Sequence, residues 1–206
     1  MDADAWNARY DTDELVWRAE PNQFLPPEVA ALRVGRALDL ACGEGRNSVW
    51  LAQQGWEVTG VDFSHVAVDK GRRLADDRGV GVTWGVHDLT RWSPPEAAFE
   101  LVIVFYLQLP AAERRTALVS GARALAPGGT FLLVAHDLDN LRRGVGGPQD
   151  PEVLVSPDAV VADLAAASVA DLEIARAERV ERAVVTDAGE ATAIDCLVRA
   201  TRSTRA

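Results

Sequence analysis

The sequence is short of several residue types, and each shortage excludes a class of protein. Only two cysteines, Cys42 and Cys196, occur among 206 residues, which excludes the disulfide framework of small secreted proteins. No stretch approaches the roughly 18 uncharged apolar residues of a membrane-spanning helix, so we expect no membrane partner. Acidic residues outnumber basic ones 31 to 21, and Lys70 is the only lysine. A net charge of −10 repels a polyanion, so we expect no nucleic-acid partner.

The N-terminus also lacks the features of a secretory signal. Asp2, Asp4 and Trp6 occupy the stretch where a signal peptide carries positive charge followed by an apolar run. With 48% hydrophobic and 25% charged residues, the composition is that of an ordinary globular protein. We therefore expect a cytoplasmic protein and, from its length, a single domain spanning residues 1–206.

Short apolar segments alternate with longer helical ones from residue 36 onward, which predicts an α/β fold. Strands are predicted over 36–41, 57–61, 81–86, 101–105 and 130–135, and helices over 46–54, 64–74, 110–125 and 156–167. Such alternation implies a doubly wound, mostly parallel sheet with helices on both faces. In the helix over 64–74 we expect Ser64 to be the N-cap and both Asp69 and Lys70 to be solvated. Residues 172–185 and 191–202, joined near Asp187, instead predict an antiparallel hairpin.

A glycine turn follows the first predicted strand and opens the first helix after it. In Asp39-Leu-Ala-Cys-Gly43-Glu-Gly45, the glycines allow a ligand close to the backbone, and the helix N-terminus offers free N–H groups. Asp62 closes the second strand, where an acid accepts both hydroxyls of a ribose. Together these features predict a site for an adenosine-containing cofactor.

A nicotinamide dinucleotide fits this turn less well. Its fingerprint has a third glycine at position 48, where this sequence has Ser48. The first strand also carries Asp39, which is not part of that fingerprint, and no Tyr-x-x-x-Lys pair exists. A nicotinamide-dependent oxidoreductase is therefore the weaker alternative, and a nucleoside-binding protein without turnover is another.

These segments resemble the class I S-adenosylmethionine-dependent methyltransferases over nearly the whole chain. Asp39 to Gly45 and Val61 to Ser64 resemble the first two motifs of that family, and His87-Asp88-Leu89 resembles its adenine-contacting segment. Leu101 to Leu109 and Leu125 to Gly129 resemble later motifs, and the terminal hairpin matches the antiparallel sixth and seventh strands. The resemblance thus implies a seven-stranded Rossmann-like methyltransferase fold that binds S-adenosylmethionine.

A narrower likeness links the chain to the tellurite-resistance and thiopurine methyltransferase type, which methylates soft nucleophiles or small molecules. It lies in Trp6, Tyr10, Trp17 and Pro21-Asn22 before the first strand, and in Arg46-Asn47 after the glycines. The family usually has glycine where this chain has Ala41, whose methyl group narrows the approach to the methionine part of the cofactor. The cofactor-binding residues expected from the resemblance and the turn are Trp17, Asp39, Ala41, Cys42, Gly43, Gly45, Arg46, Asn47, Asp62, Phe63, His87, Asp88, Leu89 and Phe105.

The methyl acceptor is expected to be a small molecule at the carboxyl edge of the sheet. The candidates are His136 and Tyr106 at strand ends, Arg143 in a glycine-rich loop, and Tyr10 and Trp17 from the N-terminal segment. A thiolate or chalcogen oxyanion requires a positive group such as Arg143, whereas a phenol or amine requires a base, for which His136 is the candidate. We expect the former, and only a modest loss of activity on His136→Ala. Three histidines on separate loops predict no metal site.

The segment before the sheet, residues 1–34, is rich in aromatic residues and predicts an ordered cap, with the sheet and its helices over 35–206. We interpret the cap as a lid that closes over the methionine end of the cofactor. The alternative is that its aromatic residues only fasten the segment to the sheet.

Overall fold

A seven-stranded sheet organises the computed structural model, which describes residues 3–169, 172–186 and 189–204. The strands are β1 Arg36–Leu40, β2 Glu57–Asp62, β3 Val82–Val86, β4 Phe99–Phe105, β5 Leu125–His136, β6 Leu172–Thr186 and β7 Gly189–Arg202. Their order is β3-β2-β1-β4-β5-β7-β6. The first five are parallel, and β7 runs antiparallel to both β5 and β6. This confirms the predicted doubly wound sheet with its C-terminal hairpin.

Seven α-helices are described around this sheet. They are α1 Ala3–Tyr10, α2 Leu25–Val29, α3 Arg46–Gln53, α4 His65–Asp77, α5 Ala111–Arg123, α6 Asn140–Arg143 and α7 Pro157–Ala165, with a 3-10 turn over Pro151–Val153. Local sequence determines where two of them begin. The Ser64 hydroxyl accepts the Ala67 N–H at 3.1 Å, and the Ser156 hydroxyl accepts the Ala159 N–H at 3.3 Å, as N-caps do.

The core lies on both faces of the sheet. On one face α5 and α7 pack against Leu38, Leu40 and Phe131, and on the other α2 and α3 cover Leu101 and Leu132. Because β2 and β4 lie on opposite sides of β1, the strand order reverses there. A crevice therefore opens at the carboxyl ends of β1 and β4, where ligands bind in sheets of this kind.

The structure differs from the sequence prediction at several places. Helix α6 and the 3-10 turn were not predicted. Strand β5 was expected to begin at Thr130 but begins at Leu125, because the residues of the proline-glycine turn belong to the strand. Lys70 was expected to be solvated, which is wrong: it is 5% exposed and pairs with Glu44. Asp187, expected near the hairpin turn, lies outside the described residues. Within the described ranges, no helix has the length and apolar content needed to cross a membrane.

Candidate functional site

A cavity of about 580 Å³ occupies the crevice at the carboxyl ends of the strands. The glycine turn after β1, the end of β2 and the segment around Asp88 line one end, and the residues following β4 and the last residue of β5 line the other. The N-terminal segment from Trp6 to Gln23 and part of β6 close its sides. Its volume lies within the range of about 300–1,000 Å³ that small-molecule sites have.

The two glycines of the turn have different surroundings. Both have left-handed backbones, with φ of +53° at Gly43 and +79° at Gly45. A side chain at Gly43 would meet only Tyr10, whose hydroxyl lies 3.1 Å from the ideal Cβ position, whereas one at Gly45 would lie 2.4 Å from Trp84. Gly43 lines the cavity and Gly45 does not. The structure therefore places Gly45 in the packing between helix and sheet, rather than at the cofactor contact that we expected.

Asp62 lies at the end of β2, facing the cavity, and organises the turn. Its two carboxylate oxygens accept the backbone N–H groups of Gly43 and Ser64, each at 2.9 Å. Each oxygen keeps a further lone pair for a ligand hydroxyl. Burial raises the pKa of this carboxyl, and the backbone hydrogen bonds oppose the change.

Asp39 lies beneath the turn and does not line the cavity. Its side chain accepts the Ser48 hydroxyl at 2.6 Å, so the residue in place of a third glycine ties α3 to β1. Its second oxygen, Oδ1, is buried without a hydrogen-bond partner among the described residues. Burial raises the pKa of Asp39 to about 7, although the Ser48 hydrogen bond lowers it. This geometry favours a role in orienting the turn.

The remaining residues of the turn line the cavity. Asn47 accepts the backbone N–H of Asn22 through its side-chain oxygen at 2.9 Å, which joins α3 to the N-terminal segment. Burial lowers the pKa of Arg46, whose side chain also lines the cavity. Ala41 has a φ of +60°, a conformation that glycine adopts without strain. Cys42 is buried at the cavity wall, and burial raises the pKa of its thiol.

The expected adenine-contacting segment is brought only partly to the cavity. Asp88 and Leu89 line it, together with Phe63 and Phe105. His87 does not. Its exposed imidazole instead stacks on Trp92, with ring centroids 4.7 Å apart and an interplanar angle of 2°.

A buried ion pair fastens the N-terminal segment to the glycine turn. Glu44, between the two glycines, lies 3.1 Å from the Lys70 ammonium of α4, and both side chains are almost fully buried. The Glu44 carboxylate also accepts the backbone N–H groups of Val16 and Trp17, each at 3.0 Å. This arrangement holds Trp17 at the cavity, where its indole N–H lies 3.4 Å from the Tyr10 hydroxyl.

The opposite end of the cavity is built around Tyr106, which directly follows β4. Its backbone is left-handed, with a φ of +58°, and its ring lies 4.6 Å from that of His136. Its hydroxyl accepts from the Asn22 amide at 3.1 Å and donates to Asp195 at 2.8 Å. Burial and the Asp195 charge raise the pKa of the phenol, so it remains protonated.

Two residues of the terminal hairpin complete this end, and the sequence analysis missed both. Asp195 pairs directly with His136 in the β5–β7 register, and its Oδ1 lies 3.4 Å from His136 Nδ1. Arg182 of β6 lines the cavity and donates from Nε to Asp195 at 2.7 Å. The sequence signal was available: Asp195 is a lone charge within the apolar segment Ala-Ile-Asp-Cys-Leu-Val.

The structure does not bring Arg143 to the cavity. Arg143 belongs to the last turn of α6, where its exposed guanidinium lies 3.6 Å from Asp139. The glycine-rich segment does reach the site at Gly147, where an added Cβ would lie 3.1 Å from His136 Nδ1. The arginines that do line the cavity are Arg18, Arg46 and Arg182, the last of which is paired with Asp195. No group of three or more metal-ligating side chains is assembled among the described residues.

Residues 37–129 match a protein family described as "Methyltransferase domain". This region contains the glycine turn, Asp62 and Tyr106. The part of the chain that forms these features is therefore similar to methyltransferase domains.

Individual relatives are similar over shorter stretches. The chain is 28% identical over 125 residues to a Mycobacteroides abscessus protein named 2-heptyl-1-hydroxyquinolin-4(1H)-one methyltransferase, covering 58% of this chain and 55% of that protein. It is 34% identical over 73 residues to a thiopurine S-methyltransferase of Pseudomonas fluorescens, covering 34% and 33% of the two chains. The chain therefore spans about half or less of the length of these relatives.

Solved structures support the fold over the whole chain. A structure titled "Conversion of a Disulfide Bond into a Thioacetal Group during Echinomycin Biosynthesis" has a TM-score of 0.77 at 23% identity, covering 99% of this chain and 93% of that one. The N-methyltransferase NodS of Bradyrhizobium japonicum, solved with S-adenosyl-L-homocysteine, has a TM-score of 0.67 at 20% identity, covering 97% of each chain. These similarities show that the chain shares the fold of these proteins.

Proposed function

We propose that the protein transfers a methyl group from S-adenosylmethionine to a small molecule bearing a soft nucleophile, with a thiol as the favoured acceptor. One observation carries the proposal. A single cavity joins the Gly43–Asp62 turn, suited to an adenosine, to a second polar cluster at Tyr106 and His136. The two ends of one cavity provide a cofactor position and an acceptor position.

The residues at the first end fit the cofactor. Gly43 has no side chain to obstruct the backbone, and Asp62 offers two oxygens to the ribose hydroxyls. When bound, S-adenosylmethionine supplies an electrophilic methyl group on a sulfonium. The aromatic rings of Tyr10, Trp17 and Phe105 suit a cation of this kind.

The residues at the second end favour a thiol. His136 lines this end of the cavity as a candidate proton acceptor, and a thiol requires less assistance to ionise than an alcohol or an amine. The relatives that are named thiopurine S-methyltransferases support a sulfur acceptor. Because His136 lines this end, a protonated thiol fits the site better than the already ionised acceptor expected from the sequence. With a protonated thiol, His136→Ala should cost more activity than the modest loss predicted there.

Binding and turnover test the proposal separately. S-adenosylhomocysteine should raise the melting temperature of the protein, whereas NAD and ATP should not. Incubation with methyl-labelled S-adenosylmethionine and a panel of small thiols, phenols and amines should label the thiols. Stabilisation by NAD alone would support the oxidoreductase alternative, and cofactor binding without transfer to any acceptor would support the non-enzymatic one.

We further propose that residues 1–206 form one methyltransferase domain in which residues 1–34 act as a lid. The contacts of Glu44 with Val16 and Trp17 support closure of this segment over the glycine turn. Deleting the first 20 residues should abolish transfer while the sheet remains folded. S-adenosylhomocysteine should protect the same segment from proteolysis. Normal turnover by the truncated protein, or cleavage that is indifferent to the cofactor, would contradict the lid.

A further inference from the structure

His136 has one ring nitrogen facing a carboxylate and the other free of hydrogen bonds. Nδ1 is buried, lies 3.4 Å from Asp195 Oδ1, and has no hydrogen bond of good geometry with any described residue. No described residue forms a hydrogen bond with Nε2, and the side chain lines the cavity. The ring packs against that of Tyr106, and a Cβ added at Gly147 would lie 3.1 Å from its Nδ1. The two nitrogens of the imidazole therefore have different surroundings.

The charge of Asp195 is already balanced without a contribution from His136. Asp195 is fully buried and accepts from Arg182 at 2.7 Å and from the Tyr106 hydroxyl at 2.8 Å. Arg182 lies diagonally across the hairpin from Asp195 on the same face, which is the geometry of a cross-strand pair. Because the guanidinium cancels the carboxylate charge, the imidazole is not required as a counter-ion. A neutral imidazole is the form that accepts a proton.

We propose that Asp195 is a positioning residue that holds His136 as the tautomer with hydrogen on Nδ1, leaving the Nε2 lone pair directed to the acceptor. Arg182 supports this state by balancing the Asp195 charge. The role of His136 as a base rests on the function proposed above, whereas its tautomer does not. A carboxylate that orients a histidine in this way occurs in unrelated enzymes that use histidine as a general base.

The step that this arrangement serves conserves atoms and charge. His136 Nε2 takes the proton of the acceptor S–H, and the resulting thiolate forms a bond to the methyl carbon. The bond between that carbon and the sulfonium sulfur breaks, and its electron pair remains on the departing thioether. The proton on Nε2 then leaves to solvent, which restores the neutral imidazole.

A structural role alone explains the arrangement less completely. An Asp195–Arg182 pair that only stabilised the hairpin would need neither a histidine nitrogen facing Asp195 nor a tyrosine with a left-handed backbone beside it. A non-glycine residue in that conformation is strained, and such residues are concentrated at functional sites. The left-handed backbone at Tyr106 places its hydroxyl beside Asp195 and its ring beside His136.

Nitrogen NMR of the intact, uniformly ¹⁵N-labelled protein measures the tautomer directly. Three histidines make the spectrum tractable, and His136→Gln identifies its signals by their loss. We expect a protonated, pyrrole-type Nδ1 and a pyridine-type Nε2 at His136, while the exposed His65 shows the solution preference for hydrogen on Nε2. Hydrogen on Nε2 of His136, or a doubly protonated ring where His65 is neutral, would overturn the proposal. This measurement on the native protein requires no folded variant at Asp195 and no acceptor.

Asp195→Asn provides the second arm. Its side-chain amide should reverse the His136 tautomer, and an unchanged spectrum in the folded variant would contradict the proposal. With benzyl mercaptan, which is protonated at neutral pH, kcat should fall by about 10²-fold or more. With 4-nitrothiophenol, which is already ionised, kcat should change little, and an equal loss with both thiols would indicate a merely structural role. If neither thiol is methylated, the proposed sulfur acceptor fails, while the tautomer still decides the role of Asp195.

Discussion

Removing the only lysine of the chain tests how the N-terminal segment is held. In Lys70→Met, the Glu44 carboxylate keeps its buried position but loses its counter-ion, which lies 3.1 Å away in the native protein. The lysine also donates to the Glu14 carbonyl at 2.6 Å and to the Thr12 hydroxyl at 3.0 Å. Both contacts anchor the same stretch, residues 12–17, which we call the anchored segment.

The contacts of Glu44 determine how much folding stability Lys70→Met should lose. Breaking a buried ion pair by removing one partner costs about 3–5 kcal/mol. Glu44 retains two backbone N–H donors, from Val16 and Trp17, which continue to stabilise its charge. We therefore expect the lower end, about 3 kcal/mol, or roughly a hundredfold change in the folding equilibrium.

Urea denaturation measures this loss, and a matched control lies on the same helix. Arg72 of α4 pairs with Asp69, but both side chains are about half exposed, so Arg72→Met should cost no more than about 1 kcal/mol. Combining Lys70→Met with Glu44→Gln should restore part of the stability, because no uncompensated charge remains buried. If Lys70→Met costs no more than Arg72→Met, the ion pair does not hold the segment and our reasoning is refuted.

Four further substitutions separate the roles of Asp39, Asp62 and the two glycines of the turn. Asp62→Ala should weaken S-adenosylhomocysteine binding by about 2 kcal/mol or more, and unchanged affinity by calorimetry in a folded variant would contradict the ribose assignment. Burial raises the pKa of Asp39 to about 7, so the native state binds the extra proton between about pH 4 and 7 and loses stability as pH rises through that window. Asp39→Asn should therefore stabilise the protein against urea at pH 8 but not at pH 4, and an equal effect at both pH values would contradict this pKa. Gly45→Ala should mainly lower the free energy of unfolding, by more than about 1–2 kcal/mol, because its Cβ would also meet Trp84. Gly43→Ala should mainly weaken cofactor binding. A larger loss of stability in Gly43→Ala and a larger loss of binding in Gly45→Ala would contradict the roles given to the two glycines.

Local signals predicted most of the fold because they act within a few residues. Ser64 caps α4 through a hydroxyl that reaches only three residues along the chain, and the Gly45 N–H closes the glycine turn by donating to the Cys42 carbonyl at 2.9 Å. The alternation of strand and helix then determines the parallel order, since crossovers require covering helices.

The parts of the site that could not be predicted depend on distant partners. Lys70 resembles any solvated helix lysine until the anchored segment and Glu44 surround it. Asp195 and Arg182 reach the site only because β7 pairs with both β5 and β6, which brings Asp195 beside His136 and Arg182. Arg143 was assigned to the site from its glycine-rich neighbours, but α6 forms there and places its guanidinium beside Asp139.

The position of β6 at the margin of the sheet bears on how the protein avoids self-association. An edge strand of 15 residues offers a long row of backbone groups to which a second chain could add. Charged side chains of both signs recur along β6, including those of Arg176, Glu178 and Glu181. A strand added at this edge would have to bury several of these charges, so the edge is a poor template for aggregation. Variants that neutralise them should therefore lose solubility before they lose stability.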